Sequence, residues 1–296
     1  MEKCNLCPRK CGVDRTKYKG YCQSSDKIKL ARAAAHYWEE PMISGENGSG
    51  AIFFSGCTLG CVYCQNNEIS HEGVGTEITP EELKDIFFRL KNEGCHNINL
   101  VTADHYMPLI KKAIDMAKCE GFDLPFILNT GGYLTRQFVT SLDGYIDIFL
   151  TDFKYLSEEM AKRYSKAENY PHFAKEALEE MVKMYPECVY DEDGMMKKGV
   201  VVRHLVLPGY AEESKAVLKY LWETYGDSIV YSIMGQYTPL SQNLKNHPEI
   251  DRRLTEEEYD SVTDYAWDIG IEDAFIQLPG SDTEEYIPDF DNTGVN

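Results

Sequence analysis

Beyond residue 50, short apolar runs alternate with amphipathic helix patterns, and this alternation limits the possible folds more than any other feature of the chain. Continuous runs rich in β-branched residues are typical of parallel strands buried on both faces. The runs lie at 51–55, 98–101, 126–128, 146–150, 200–202 with 205–207, and 229–233. Strand–helix repetition of this kind predicts a parallel barrel or an open parallel sheet.

The helix patterns between these runs carry start signals that can be read from single residues. Thr79 and Glu82 have the spacing of a capping box, with Pro80 at the first helical position, and Thr255 and Glu258 repeat that spacing near the end of the chain. Further helix patterns occupy 107–120, 171–185 and 212–225. We therefore expect an α/β fold, a partial (β/α)6-type parallel barrel.

Three cysteines, Cys57, Cys61 and Cys64, follow the first apolar run with C-x3-C-x2-C spacing. A [4Fe–4S] cluster normally takes four cysteine ligands, so a loop that supplies three leaves one iron open. An open metal position distinguishes a reactive site from a structural one. The alternative is a zinc site with a distant fourth ligand, although structural zinc sites usually use paired C-x2-C units.

A second cysteine pattern lies at the N-terminus, where Cys4, Cys7, Cys11 and Cys22 are separated by two, three and ten residues. Four thiolates close a metal site completely, so this second site is not predicted to be catalytic. It would hold either a structural zinc ion or a second, electron-relaying Fe–S cluster, and the spacing does not distinguish them. Disulfides are the least favoured interpretation in a reducing compartment.

Charge is unevenly distributed along the chain. Residues 1–35 contain nine Lys/Arg and three acidic residues, a net charge of +6, whereas the whole chain carries −19, which leaves −25 for the remainder. We expect a four-cysteine metal module at 1–35, a barrel at 36–280 and an acidic C-terminal tail on the surface at 281–296. The basic module either pairs with the acidic body of the same chain or docks a partner.

Composition also bears on partners and location. The charge of −19 argues against a nucleic-acid substrate, because phosphate binding needs a basic surface. No apolar run approaches the roughly 18 residues that cross a bilayer, and residues 1–7 lack the apolar segment of a signal peptide. We therefore expect no membrane partner and a cytoplasmic location, where the ten cysteines would be metal ligands and free thiols.

Polar side chains follow the predicted strands at the point where each one ends. In a parallel barrel these carboxyl ends meet at one face, so we expect a polar ring around the three-cysteine loop. For Asp152 and Lys154 alone, a structural salt bridge at the sheet edge is the alternative. The strand-end candidates are Thr102, Asp104, His105, Asn129, Thr130, Asp152, Lys154, Arg203, His204, Gln236 and Tyr237.

Several longer motifs identify a family resemblance. They are Cys-Asn-Leu-Cys-Pro-Arg-Lys-Cys-Gly-Val at 4–13, Glu-Glu-Pro-Met-Ile-Ser-Gly at 39–45, Asn-Ile-Asn-Leu-Val-Thr at 97–102, Asp-Phe-Lys-Tyr at 152–155 and Arg-His-Leu-Val-Leu-Pro-Gly at 203–209. With the three-cysteine loop they span most of the chain. The sequence resembles the radical S-adenosylmethionine (radical SAM) enzymes related to pyruvate formate-lyase activating enzymes, in the poorly characterised branch with an N-terminal C-x-L-C-P-R-x-C-G-V motif.

The resemblance implies a [4Fe–4S] cluster on Cys57, Cys61 and Cys64 whose open iron binds SAM. One electron then splits the S–C5′ bond, and a 5′-deoxyadenosyl radical abstracts hydrogen from a protein or peptide substrate, in the narrower case from a glycyl-radical enzyme. A low-potential reductant such as flavodoxin or ferredoxin is implied as a partner, and the basic module is our candidate for its docking site. No residue stands out as a separate catalytic hydrogen donor.

The resemblance also implies SAM contacts, with two departures from the family pattern. Thr102-Ala103-Asp104-His105 replaces a Gly-Gly-Glu segment that holds the SAM ammonium, so Thr102 and Asp104 are expected to take over that role. The usual histidine on the last strand has no counterpart at 234–237. The expected cofactor-binding residues are Tyr63 and Gln65 beside the adenine, Thr102, Asp104, Asn129, Asp152, Lys154, Arg203 and Gln236.

A function of another class is also open: a non-enzymatic Fe–S or zinc protein that relays electrons or docks a partner. The polar strand-end residues argue against it, because an electron relay has no use for a polar ring large enough to hold SAM.

Overall fold

The core of the protein is one open β-sheet, described by a computed structural model for residues 3–240, 242–277 and 288–295. Its strands are β1 (Ile28–His36), β2 (Ser49–Phe54), β3 (Thr76–Ile78), β4 (Ile98–Val101), β5 (Phe126–Thr130), β6 (Ile148–Asp152), β7 (Val189–Tyr190), β8 (Met196–Leu205), β9 (Val230–Met234) and β10 (Ala274–Ile276).

Eight α-helices connect the strands in the described part of the chain. They are α1 (Pro41–Ser44), α2 (Pro80–Asn92), α3 (Met107–Cys119), α4 (Arg136–Thr140), α5 (Glu158–Ser165), α6 (Tyr170–Met184), α7 (Ala211–Tyr225) and α8 (Glu256–Asp268). In the described ranges, none of these helices combines the length and the apolar character needed to span a bilayer.

The strand order is β10-β9-β8-β6-β5-β4-β2-β1-β3, with β7 paired only to β8. All neighbours from β10 to β2 are parallel, whereas β1 pairs antiparallel with both β2 and β3. The order has two ends, so the sheet is open and does not close into a complete barrel. The predicted α/β class with a partial parallel sheet is therefore confirmed, and β10 adds a short parallel strand that the sequence did not indicate.

The sheet curls so that strands near its opposite ends face one another. His36 of β1 and Phe53 of β2 line the same cavity as Ser232 of β9 and Phe275 of β10. Along each strand, alternate residues point to opposite faces. On β5 and β6, Leu128 and Phe149 join the large core under the helices, while Ile127, Ile148 and Leu150 pack inside the barrel with Met42 and Ile43 of α1.

Local sequence signals place the helices correctly. The Thr79 hydroxyl accepts from the Glu82 amide at 3.2 Å, and the Glu82 carboxylate accepts from the Thr79 amide at 2.7 Å. Thr255 and Glu258 form the same reciprocal pair at the start of α8. The helices predicted at 107–120, 171–185 and 212–225 are α3, α6 and α7, with ends within a residue of the prediction.

Strand β4 has the predicted limits, whereas the limits of β2, β5, β6 and β9 differ from the sequence prediction by one or two residues and those of β8 by more. Strand β6 begins at Ile148, two residues later than the predicted run at 146–150. The run at 200–202 and the first residue of the run at 205–207 belong to one strand, β8, which starts four residues earlier and ends at Leu205. Its early part pairs antiparallel with β7 in a local hairpin, whose turn contains the Asp193-Gly194 dipeptide that is typical of such turns.

The chain termini pack onto the barrel more closely than the predicted divisions imply. Residues 28–35, assigned from sequence to the metal module, form most of β1 and lie in the sheet. Of the predicted tail at 281–296, residues 281–287 and 296 lie outside the described residues. Residues 288–295 pack along β1, where the Ala33 amide donates to the Thr293 carbonyl at 2.9 Å and Val295 is buried.

The N-terminal module makes a close backbone contact with the start of the three-cysteine loop. Gly56 has φ +88°, a region that glycine adopts without strain. A Cβ at this position would lie 2.3 Å from both the Cys22 carbonyl oxygen and the Ser24 hydroxyl. The absence of a side chain at Gly56 therefore allows the module to lie directly on the loop.

We predict that Gly56→Ala destabilises the protein by at least about 2 kcal/mol more than Gly73→Ala, as measured by urea unfolding. Gly73 is the matched control, because it also has positive φ (+68°) but a Cβ there would meet nothing within 4 Å. Both variants carry the backbone strain, of about 1–2 kcal/mol, and only Gly56→Ala displaces the module. Equal losses in the two variants would show that the close contact does not constrain the chain.

Candidate active site

A cavity of about 400 Å³ opens at the carboxyl ends of the parallel strands. Its wall includes the three loop cysteines and every strand-end residue that the sequence assigned to cofactor binding. These residues are Cys57, Cys61, Cys64, Tyr63, Gln65, Thr102, Asp104, Asn129, Asp152, Lys154, Arg203 and Gln236.

Two histidines of the predicted polar ring point away from the cavity. His105 hydrogen-bonds with the Ser55 carbonyl at 2.9 Å, and His204 lies between the Phe153 carbonyl at 2.7 Å and the Ser214 hydroxyl at 2.9 Å. Burial lowers the pKa of His105 to about 3 and that of His204 to about 4, so both rings are neutral. Thr130 and Tyr237 do line the cavity.

The three loop cysteines are held by different partners. The amides of Leu59 and Gly60 donate to Cys57 Sγ at 3.3 and 3.4 Å, because the loop turns back over this sulfur. Cys61 Sγ lies 3.0 Å from the Ser165 hydroxyl at the end of α5. Ser70 hydrogen-bonds with Cys64. Each thiol therefore has a hydrogen-bonding partner within the chain that orients it.

Burial and mutual repulsion keep two of these thiols protonated. Burial raises the pKa of Cys57 to about 12, and the neighbouring Cys64 and Cys61 add to the shift. Burial also raises the pKa of Cys64, with Cys61 contributing in the same direction. Desolvation and mutual repulsion make adjacent buried thiolates unfavourable, so their ionisation requires a cation among them. Such a site suits a metal centre whose binding releases protons.

Two buried tyrosines link the loop to α5. The Tyr63 hydroxyl lies 2.6 Å from that of Tyr155, and Tyr155 lies 3.0 Å from the Ser165 hydroxyl, which in turn reaches Cys61. Burial is the largest cause that raises the pKa of both phenols, so they remain neutral donors. This chain of hydroxyls fixes the aromatic face that Tyr63 presents at the cavity wall.

Asp104 follows β4 and is a polar group of the cavity wall whose hydrogen-bonding capacity is not filled. Its carboxyl is almost fully buried, and Oδ1 has no hydrogen-bond partner among the described residues. Burial raises the pKa of Asp104 to about 7, a shift that Asp152 increases and a hydrogen bond with Thr130 opposes. A carboxyl in this state favours a cationic ligand, which would restore its charge and fill the free acceptor.

Asp152 and Lys154, at the end of β6, form a close ion pair. Lys154 Nζ lies 2.5 Å from Asp152 Oδ2, and the Lys154 amide donates to the Tyr170 hydroxyl at 2.9 Å. Burial opposes the charge of Lys154, but Asp152, Cys61 and Tyr170 together outweigh burial and hold the pKa of Lys154 well above its usual value. The predicted structural pairing is therefore present, and both side chains still border the cavity.

Arg203 also borders the cavity, but its guanidinium is engaged within the barrel. Nε donates to Glu40 Oε1 at 2.8 Å, and Nη2 donates to Glu40 Oε2 at 2.6 Å and to Glu39. Asn99 donates to Glu39 at 2.8 Å. Because Glu39 and Glu40 follow β1 and Arg203 lies on β8, this cluster ties opposite sides of the sheet together below the cysteines.

The remaining predicted residues lie at the rim. The backbone of Gln236 donates to the Gln277 side chain at 3.0 Å, which joins the ends of β9 and β10. Gln65 is exposed on the cavity edge. Sequence reasoning missed Asn66, whose buried Oδ1 has no partner among the described residues, and Trp38 at the mouth. Asn66 directly follows Cys64 and Gln65 in the sequence, and this position was the available signal for it.

The four N-terminal cysteines lie outside the cavity but close to one another. A Cβ at Gly20 would lie 3.3 Å from Cys22 Sγ and 3.4 Å from Cys11 Sγ, and Cys4 hydrogen-bonds with Cys11. Burial raises the pKa of Cys7 to about 11, and Cys22 and Cys4 add to the shift. No group of three or more His, Cys, Asp or Glu side chains in the described ranges has the arrangement of a single-ion site.

We predict that Asp104→Asn stabilises the iron-free protein at pH 8 by up to about 4 kcal/mol, and that this advantage disappears towards pH 4. The folded-state pKa of about 7 lies above the ordinary value of 3.8. The unfolded chain therefore ionises first as pH rises, and the wild type loses stability between about pH 4 and 7. Asn removes this loss. Urea unfolding across this pH range tests the prediction.

The matched control for this prediction is Asp268→Asn, because Asp268 is an exposed carboxylate at the end of α8. It should change the free energy of unfolding by less than about 1 kcal/mol at pH 4 and at pH 8, as is usual for an exposed surface position. An Asp104→Asn variant that is less stable than the wild type at pH 8 would contradict the burial argument.

Comparisons with known proteins bear on the family and the fold of the chain. A sequence profile of the radical SAM superfamily matches residues 51–221. An uncharacterized protein of Methanocaldococcus jannaschii is 29% identical over 277 residues, which is 90% of this chain and 75% of that protein.

Solved structures provide a fold comparison. The Streptococcus suis SuiB structure bound to S-adenosylmethionine aligns with a TM-score of 0.51 and 12% identity, covering 75% of this chain and 48% of SuiB. Another SuiB structure gives a TM-score of 0.50 with 13% identity, covering 75% of this chain and 47% of SuiB. The chain thus spans about half the length of these structures, and the likeness concerns the fold. Because the family profile covers more than half of the sequence, including the three-cysteine loop, this chain belongs to the radical SAM superfamily.

Proposed function

We propose that the protein reductively cleaves S-adenosylmethionine at a [4Fe–4S] cluster and abstracts hydrogen from a protein or peptide substrate. Membership of the superfamily implies the cluster and SAM. The observation that carries the proposal is the convergence of three thiols and nine predicted polar or aromatic residues on one cavity. When bound, the cluster supplies the electron that splits SAM into methionine and a 5′-deoxyadenosyl radical.

The cavity residues fit these two groups. Cys57, Cys61 and Cys64 supply three thiol ligands and leave a fourth position for SAM. Asp104 Oδ1 and Asn66 Oδ1 are buried acceptors without partners among the described residues, as expected of groups that await an ammonium or amide donor. The role of the protein would be to hold the cluster and SAM in a site that excludes water.

We assign the SAM contacts by chemistry and position. Asp104, with Thr102 beside it, would accept from the SAM ammonium in place of the family's Gly-Gly-Glu segment. Tyr63 and Gln65 would border the adenine. The other proposed contacts are Asn129, Asp152, Lys154 and Gln236, while Arg203 would act mainly through Glu39 and Glu40 by fixing the cavity floor.

The narrower proposal is activation of a glycyl-radical enzyme. It rests on the resemblance to pyruvate formate-lyase activating enzymes. It requires a partner that inserts a glycine-containing loop into the cavity. The low-potential reductant, of the flavodoxin or ferredoxin class, would dock on the basic N-terminal segment, where Lys10, Lys17 and Lys19 are exposed. Opposite charge on such a partner would raise its association rate.

We predict that anoxically reconstituted protein, given SAM and dithionite, forms 5′-deoxyadenosine and that Cys61→Ala reduces the yield to the background without protein. Mass spectrometry measures the product, and iron analysis reports cluster loading. Cys119→Ala is the matched control, because Cys119 is exposed at the end of α3, outside the cavity, and should keep full yield. Product that persists in Cys61→Ala would contradict the assignment of the cluster ligands.

A second candidate function is electron relay or partner docking without SAM chemistry. Electron relay needs the two cysteine groups to lie close together. The observation in its favour is that the carbonyl of Cys22 lies against Gly56, the residue before Cys57. A wild-type protein with a loaded cluster that neither binds SAM nor forms 5′-deoxyadenosine would support this alternative over the enzyme.

We further propose that Cys4, Cys7, Cys11 and Cys22 hold a second metal centre, either zinc or an Fe–S cluster. The double substitution Cys4→Ser/Cys7→Ser is predicted to remove one zinc or about four irons per chain, as measured by elemental analysis. Loss of zinc would assign a structural role and loss of iron a relay role. Unchanged metal content, equal to that of the Cys119→Ser control, would exclude a second centre at these cysteines.

A further inference from the structure

Arg9, which lies between Cys7 and Cys11 of the N-terminal module, extends its side chain to the back of the three-cysteine loop. Nε donates to the Thr58 carbonyl at 3.0 Å, and Nη2 donates to the Leu59 carbonyl at 3.0 Å. Nη2 also donates to the Ser165 carbonyl at 2.9 Å, and Nη1 to the Lys166 carbonyl. Arg9 has no ion-pair partner among the residues that the structure describes, so its charge is directed at backbone carbonyls.

Two of these carbonyls belong to the peptide groups whose amides contact Cys57. The peptide between Thr58 and Leu59 accepts from Arg9 through its oxygen and donates to Cys57 Sγ through the Leu59 amide at 3.3 Å. The next peptide accepts from Arg9 through the Leu59 oxygen and donates through the Gly60 amide at 3.4 Å. One guanidinium thus fixes both dipoles with their positive ends towards the same sulfur.

Arg9 also reaches the surroundings of a second cysteine. It bonds the carbonyl of Ser165, and the hydroxyl of the same residue lies 3.0 Å from Cys61 Sγ. The guanidinium carbon lies 3.9 Å from the centre of the Tyr21 ring, which covers it from the module side. Arg9 is therefore packed between the module and the loop.

This geometry has an electrostatic consequence for any cluster held by the loop. A hydrogen bond at the oxygen of a peptide group polarises its N–H and strengthens the bond that the N–H makes. Hydrogen bonds to the sulfurs and nearby positive charge stabilise the reduced form of an Fe–S cluster, which is the more negative one. Arg9 supplies both effects from one side chain.

We propose that Arg9 is a positioning residue that sets the reduction potential of the loop's cluster, so that the N-terminal module governs how readily this cluster accepts an electron. The inference rests on the proposed function, since it takes Cys57 as a cluster ligand. The step concerned is the transfer of one electron from a low-potential donor to the oxidised cluster, which becomes reduced, and no bond is broken.

The test measures the reduction potential of the cluster in reconstituted wild type, Arg9→Ala, Arg9→Lys and Arg15→Ala. Each protein is titrated with a reductant, and electron paramagnetic resonance detects the reduced cluster at each potential. Arg15 is the matched control, because it also joins the module to the barrel through a backbone carbonyl, that of His105. Its second bond, to the Ser25 carbonyl, lies within the module, and it hydrogen-bonds to neither Thr58 nor Leu59. We expect Arg9→Ala to lower the equilibrium constant for one-electron reduction of the cluster about tenfold, which is a shift of ~59 mV to more negative potential. Arg9→Lys should shift less, and Arg15→Ala should keep the wild-type potential.

A second readout needs no cluster. In the iron-free protein, amide exchange at Leu59 and Gly60 should accelerate at least tenfold in Arg9→Ala, while the Val62 amide, bonded to the Tyr164 carbonyl at 2.8 Å, should stay protected. A purely structural role would instead expose all three amides and leave the potential of the loaded fraction unchanged.

The outcomes separate this inference from the proposed function. A loaded cluster with the wild-type potential in Arg9→Ala would overturn the role of Arg9 and leave the proposed function intact. A wild-type protein whose loop cysteines take up no cluster would overturn the proposed function, and with it the assignment of a potential. If Arg9→Ala fails to fold, Arg9→Lys and Arg9→Gln carry the same comparison.

Discussion

The parallel alignment of β2, β4, β5, β6, β8 and β9 is the constraint on which the site depends. The carboxyl ends of parallel strands lie at the same edge of the sheet, so residues far apart in sequence reach one cavity, and no separate long-range contact is needed to place each of them. Asp104, Asn129 and Asp152 are brought together in this way, and the cysteine loop is placed among them because it follows β2. A change in strand order would separate these side chains even if every local element survived.

The cavity accumulates buried charge that the surrounding structure only partly balances. Four acidic residues, Glu39, Glu40, Asp104 and Asp152, border it with two basic ones, Lys154 and Arg203. Glu39 and Glu40 share Arg203, and Asp152 has Lys154, which leaves Asp104 without a cation. Buried charge without a partner is costly unless a ligand supplies it. The excess of carboxylates therefore matches a cationic ligand, and the SAM of the proposed function carries a sulfonium and an ammonium.

The sequence predicted what depends on short spacing and missed what depends on tertiary contacts. The capping boxes at Thr79 and Thr255, the buried strands and the polar strand ends are local patterns, and each appears in the structure. The antiparallel strand β1 carries no comparable signal, because its pairing with β2 is set by the sheet it joins. The pairing of Arg203 with Glu39 and Glu40 joins positions more than 160 residues apart, so no spacing rule could reveal it.

The N-terminal segment shows why a motif does not define a separable unit. Its excess of basic residues, together with its cysteine spacing, suggested a module ending at residue 35, yet residues 28–35 form a sheet strand and the Cys22 carbonyl packs on Gly56. Arg9 and Arg15 of the same segment bond carbonyls of the barrel instead of nearby carboxylates. Since these contacts all converge on the backbone around the cysteine loop, local unfolding of the segment would release the loop as well. The stability of the N-terminal segment and the geometry of the loop are therefore coupled through the backbone.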